Sequence, residues 1–547
     1  MKGAMKMKMA NMKRALAILL VFASLFSLAA CGSGTNEEVL ATDDDASASV
    51  ESPATEVSAA ETGNGIKRGG VLTVAKMTNI TSLDPTKSSS IDNDGFVLAQ
   101  IFETLLRQDE EGNIIDGLAE SYEVAEDGLS ITFKLREDVV FHDGEKFNAE
   151  AAKFNLDWYI SEECGHINYS SELTYVDSID LIDEYTIRMN MSAVDASILA
   201  SMTGLCGYMI SPKTIKEGTI ATNPAGTGAF KVKEYVEGDH VTLEAFENYY
   251  RMGEDGKPLP YLDEVVIKIM TDDAVRSANL ESGDIDGVDY HGSTNSILKF
   301  ENKEGFQSHT VPSVNNYFVS FNLNNEVLAD IRVRQAMAYA VDRQEFIDVV
   351  LEGYGTTVPF VVRKDQWYYS DYNPYTYDPE KAKELLAEAG YADGLTVKMY
   401  YISREPDATA VQLIQAQFAE VGITMELEGM DRLAWIDLVR TQKSGELGFG
   451  VLANFGYDAS RQFNSTTYYV DTTKATRLTE LLPKTRASFD RDERLESLHE
   501  YQKEYLDNCY HLFVGQNQRI TSYKDTVQNM NYHWYAVAKY DEVWLSE

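Results

Sequence analysis

Beyond residue 67 the chain alternates between two hydrophobic periods. The run Val71-Leu72-Thr73-Val74-Ala75 predicts a first strand, and Ile131-Thr132-Phe133-Lys134-Leu135 alternates as a half-buried strand does. Helical spacing is clearest from Asp378, where an N-cap acid precedes Pro379 at the first helical position. Ala382, Leu385, Leu386 and Ala389 then share one face, and Gly390 ends the segment. A strand over 395–400 follows. After it come a helix with Val411, Ile414, Phe418 and Val421 on one side, a stop at Gly422, and alternation at Ile423, Met425 and Leu427. Residues 334–351 predict one further amphipathic helix with Met337, Val341, Ile347 and Val350 apolar and Gly353 as its stop. This order of elements is α/β, and no internal repeat interrupts it.

The N-terminal pattern is of another kind. Five cations (Lys2, Lys6, Lys8, Lys13, Arg14) precede an apolar run over 15–30 that ends at Cys31, which predicts a signal peptide over 1–30. That run is short for a spanning helix and no later one is longer, so a soluble body is expected. Leu28-Ala29-Ala30-Cys31 resembles a bacterial lipobox, which implies lipid on the Cys31 sulfur and attachment to the extracytoplasmic face of the cell membrane. Two acyl chains supply stable anchoring that one chain lacks. From 31 to 66 the chain is small and acidic and cannot bury enough surface to order itself, so it is expected to be a tether.

Composition narrows the function. With 87 acids against 48 Lys and Arg, and a net charge of −39, the chain is ill suited to nucleic acid or to anionic lipid surfaces. Cys164, Cys206 and Cys509 remain after Cys31, an odd number; a Cys164–Cys206 bridge is left open. There is no CxxC and no GxSxG, and His499-Glu500 lacks the second histidine of HExxH. The Gly226–Lys231 segment lacks the Gly-Lys-Ser/Thr of a phosphate loop. Asp284, Asp286 and Asp289 lack EF-hand spacing and are expected to form a solvated turn. No enzymatic activity, cofactor or metal is expected, and a monomer is.

Several motifs in one order carry a resemblance: GGVLTVAKMTNITSLDP at 69–85, IFETLLRQDEEGNIIDGLAESYEVAEDGLSITFKLREDVVFHDGEKFNAE at 101–150, NPAGTGAFKVKEY at 223–235, LESGDIDG at 280–287, DIRVRQAMAYAVDR at 330–343 and YDPEKAKELLAEAGY at 377–391. Together they resemble the peptide- and nickel-binding family of bacterial solute-binding proteins that serve ABC importers. The resemblance implies a two-lobed periplasmic-binding-protein type II-like α/β fold with an inserted subdomain in the first lobe. Lobe I would comprise 67–103, 222–312 and 515–547, the subdomain 104–221, and lobe II 313–514. It further implies a small solute between the lobes and ABC transporter permease subunits as partners. A small peptide is the expected ligand, with an oligosaccharide as the alternative and a nickel complex or haem as lesser ones.

The same resemblance names candidate contacts. Phe455 and Asp458 keep the aromatic–acid spacing with which peptide-binding members meet an ammonium, although Ala459-Ser460 replaces the usual continuation; Tyr457 lies between them. A charge-assisted hydrogen bond from ammonium to carboxylate is about twice as strong as a neutral one. Arg404 stands near the position of an arginine that receives the ligand carboxylate in dipeptide-binding relatives, with Arg461 and Arg432 as substitutes. Among the 32 tyrosines and the few tryptophans, Tyr317 and Trp435 are the expected aromatic contacts.

Overall fold

The structure, a computed structural model, describes residues 65–547 except 89–90, 110–111, 165–168, 170–171, 441–444, 454–457, 468–469 and 533–536. Cys31 and the segments expected to be signal peptide and tether lie outside the described residues.

Two long antiparallel strands, Phe306–Phe321 and His511–Lys524, run through the middle of the body and carry a half-sheet at each end. At one end His511–Lys524 adjoins Gly287–Val288, then Val71–Lys76, Glu264–Ile269, His240–Ala245 and Phe230–Val236. Val71–Lys76 is parallel to both of its neighbours. At the other end Phe306–Phe321 adjoins Leu447–Ala453, then Leu395–Ile402 and Ile423–Met430, the last two parallel over eight residue pairs. The register of the two long strands shifts between Pro312 and Asn316, so each changes partners there. A bulge at this point bends the ladder where one half-sheet gives way to the other.

Local chemistry explains most elements. Asp378 accepts the Lys381 amide at 2.9 Å and starts the helix Pro379–Glu388; Gly390, at φ +94°, ends it. The helix Asp407–Glu420 buries Val411, Ile414 and Phe418 against the second half-sheet. The single helix expected over 334–351 is two, Ile331–Tyr339 and Arg343–Val350. Asp342 divides them because its carboxylate accepts the Gln344 and Glu345 amides at 2.9 and 3.1 Å and so starts a new helix in place of continuing the old one.

Buried apolar side chains form separate cores. One unites Phe318, Phe346, Phe418 and Phe513 around the second half-sheet. Another gathers Leu72, Phe96, Val265 and Tyr540 around the first. A third, with Phe133, Leu156 and Met189, fills a four-stranded antiparallel sheet ordered Ala119–Val124, Ser130–Leu135, Thr186–Met191, Val176–Asp183. Cys164, Cys206 and Cys509 are all buried.

Candidate functional site

A cavity of about 590 Å³ opens where the two half-sheets meet. Its first wall starts at the end of Val71–Lys76. The Lys76 side chain is 2% exposed, and its ammonium is 3.6 Å from Asp289. Asp289 follows the strand Gly287–Val288 and donates its amide to Ala75 O at 3.0 Å, which sets the carboxylate beside the strand end. Arg519, on the long strand His511–Lys524, approaches the same carboxylate at 3.5 Å, and its guanidinium lies 5.5 Å from the centre of the Tyr290 ring. Asp289 is thus buried between two cations, the condition under which a buried charge is tolerated. The solvated turn expected at Asp284, Asp286 and Asp289 is corrected accordingly: Asp286 pairs with Lys524 at 2.9 Å and Asp289 faces the cavity.

The second wall comes from the loop after Leu395–Ile402 and from the short helix Arg432–Trp435, which Asp431 caps. Arg404 Nε donates to Asp407 Oδ2 at 3.2 Å, and its terminal nitrogens take no partner among the described residues. Burial pushes the Asp407 carboxyl above its usual range against the pull of Arg404, and its Oδ1 has no hydrogen-bond partner among the described residues. Arg432 is exposed on the same wall. Asn315 and Asn517 line the floor from the long strands, beside the register shift, and Asn517 Oδ1 is buried with no donor among the described residues. An unpaired buried acceptor is costly, so this atom is suited to a donor supplied by a solute.

Tyr317 belongs near this wall. Its ring packs on Phe346 and Phe449 at 5.6 and 6.2 Å. Burial raises its hydroxyl pKa, the nearby Tyr290 and Asp407 raise it further, and Arg404 opposes them.

The other expected contacts lie elsewhere. Trp435 is 3% exposed; its indole N–H donates to Tyr400 O at 3.2 Å, and its ring covers Gly450, where an added Cβ would stand 2.6 Å from it. It is a core residue rather than a cleft wall, because its four-residue helix turns the indole inward while Arg432 faces out. Asp458, 6% exposed, caps the helix Ala459–Thr466 through the Ser460 amide at 2.8 Å and takes Arg494 Nη2 at 2.5 Å. Burial pushes its carboxyl up, but Arg494 and Ser460 outweigh burial and hold it below the usual carboxylate range. The free ammonium anchor expected at Asp458 is therefore already occupied. It lines a different, smaller cavity of about 220 Å³ with Arg363, Trp367 and Arg491. Phe455 and Tyr457 lie outside the described residues. Arg461 donates to Glu172 O at 2.7 Å and stands 3.4 Å from Asp195, away from Arg404.

The structure thus places Arg404 and Arg432 from the sequence in the cavity lining, leaves Tyr317 buried in the core behind it, and adds Lys76, Asp289, Tyr290, Arg519 and Asn517. These additions come from distant strand ends, and only the lysine closing an apolar strand and the acids after Leu280 hinted at them.

Two α/β lobes that share long crossover strands and enclose a polar cavity define a two-lobed solute-binding protein of the type II periplasmic class. Solved structures of similar fold include HbpA2 from Haemophilus parasuis (TM-score 0.78, 20% identity, 87% of this chain and 100% of that one). The ABC transporter-associated periplasmic binding protein DppA from Helicobacter pylori in complex with the peptide STSA is another (0.71, 22%, 88% and 99%). NikA from Brucella suis in complex with Fe(III)-EDTA also matches (0.76, 22%, 87% and 100%). Residues 113–476 match the bacterial extracellular solute-binding proteins, family 5 Middle, and the chain belongs to that family. Among curated relatives, the glutathione-binding protein GsiB of Salmonella typhi is 30% identical over 361 residues, 65% of this chain and 69% of the relative. That of Escherichia coli K12 is 30% identical over 364 residues, with the same coverage. The chain is accordingly a solute-binding component of an ABC importer. Among the described residues, no helix is long and apolar enough to cross a membrane.

Proposed function

We propose that the chain is held at the extracytoplasmic face of the cell membrane by lipid on Cys31, captures a small peptide between its lobes and hands it to ABC permease subunits, acting as a monomer without catalysis. The lobes in this reading are 67–103 with 222–312 and 515–547, and 313–514, with 104–221 inserted in the first. The observation that carries the peptide reading is Arg404. Asp407 holds its Nε, and both terminal nitrogens are left toward a cavity whose volume is in the range of small-ligand sites. A guanidinium fixed in this way matches a carboxylate bidentately. Asn517 Oδ1 offers an acceptor for a peptide N–H. An oligosaccharide is less well served, since Tyr290 is the one aromatic side chain among the described lining residues. DppA of H. pylori, solved with a peptide, and the glutathione-binding relatives agree with this choice.

Calorimetric titration of the full chain in detergent with di- and tripeptides and with maltotriose tests the reading. Saturable one-site peptide binding is expected. Binding of the sugar with none of the peptides overturns it.

A further inference from the structure

The cavity's charge runs against that of the protein. Acids outnumber Lys and Arg by 87 to 48 along the chain, yet the described lining holds four cations, Lys76, Arg404, Arg432 and Arg519, against one acid, Asp289. From this lining we infer that the transported peptide is acidic, carrying a second carboxylate besides its C-terminal one. The inference rests on the peptide reading above and adds the charge of its side chains.

Position supports it as much as number. The cations stand on both walls: Lys76 and Arg519 flank Asp289 on the first lobe, at 3.6 and 3.5 Å. On the second, Arg404 keeps only its Nε engaged, and Arg432 has no partner among the described residues. A solute that spans the cavity therefore meets positive charge at each end. Closing the lobes removes water from these groups, which makes excess like charge costly and an incoming carboxylate favourable. A zwitterionic peptide with one carboxylate answers one wall. A peptide with a glutamate or aspartate side chain answers both, and its bridging pairs form only when the walls approach, so its charge favours closure.

Three tripeptides and glutarate, titrated calorimetrically into the full chain in detergent, test this. Ala-Glu-Ala is expected to bind at least about tenfold more tightly than its isostere Ala-Gln-Ala, and Ala-Lys-Ala more weakly than either. Arg519→Gln, on the wall opposite Arg404, should lower Ala-Glu-Ala affinity more than Ala-Gln-Ala affinity and so reduce the preference for glutamate, with the melting temperature showing that the variant is folded. Equal affinities for the Glu and Gln peptides in the wild type overturn the inference and leave the peptide reading standing. Glutarate binding without any peptide binding keeps the two-carboxylate cavity and overturns the peptide reading. Failure of all four probes overturns both.

Discussion

Arg404 and Asp407 form an ion pair with unequal exposure: the arginine side chain is half open, at 50%, while the carboxylate it engages is wholly buried. The buried partner sets the direction of the open one. Removing Arg404 as alanine should weaken a peptide ligand by about 30-fold or more, because an interfacial charge left without its partner costs about 2–5 kcal/mol. Asp407→Asn should separate orientation from stability. It removes a buried charge with one unpartnered oxygen, so the melting temperature should hold or rise, while ligand affinity falls because Nε loses its charged partner. A variant with lower stability and unchanged affinity would show that Asp407 only supports the fold.

The Asp458–Arg494 pair makes the opposite prediction. Asp458→Ala leaves the buried Arg494 guanidinium without its carboxylate, with only Thr485 O among the described residues still accepting from it, and uncaps Ala459–Thr466, so urea unfolding should report a loss of about 3–5 kcal/mol. Ligand affinity, measured where the variant is folded, should change little, since Asp458 is outside the cavity that holds Arg404. Intact stability with a large loss of affinity would restore Asp458 as an ammonium anchor.

Trp435 and Gly450 are coupled by contact. Trp435→Ala should cost about 3–5 kcal/mol as a core cavity. Gly450→Ala should also destabilise, because its Cβ meets the indole at 2.6 Å. The two effects should be strongly sub-additive in the double variant, since the smaller residue removes the clash. Simple additivity would mean that the ring does not cover Gly450 in solution.

Buried His291 predicts a pH dependence. Burial lowers its pKa to about 4, with Asp273 opposing; its Nε2 stands 2.9 Å from Ser522 Oγ and its ring stacks on Phe300. The unfolded imidazole takes its proton near 6.5, before the folded one does, so stability is lost as pH falls from about 6.5 towards 4. The contribution is at most about 3 kcal/mol. His291→Gln should flatten that part of the profile in denaturant titrations at stepped pH. An unchanged slope would show that other groups carry it.

Membrane attachment is tested at Cys31. Membrane fractionation and metabolic lipid labelling should show the wild type with the membranes and Cys31→Ala released and unlabelled. A wild type found wholly in the soluble fraction would remove the anchor from the proposal.

The local signals were legible in the sequence: strand alternation at 131–135, the Asp378–Pro379 helix start and Gly390 stop, and the family motifs, each of which depends on neighbours within a few residues. Asp342 shows the limit even there, because an apolar stripe continues through it while its side chain ends one helix and begins another. The cavity was legible only in part. Arg404 and Arg432 could be named, but Lys76, Asp289, Arg519 and Asn517 come from segments hundreds of residues apart, and Tyr317 lies in the core behind the lining. Trp435 and Asp458 carried suitable chemistry into the wrong surroundings, one against Gly450 and the other against Arg494. Sequence by itself determined which segments become strands and helices and which family the chain resembles. Tertiary structure alone decided which charges face one another, because the long strands change partners near Pro312 and Asn316, and Coulomb and desolvation energies depend on distance in space rather than on separation along the chain.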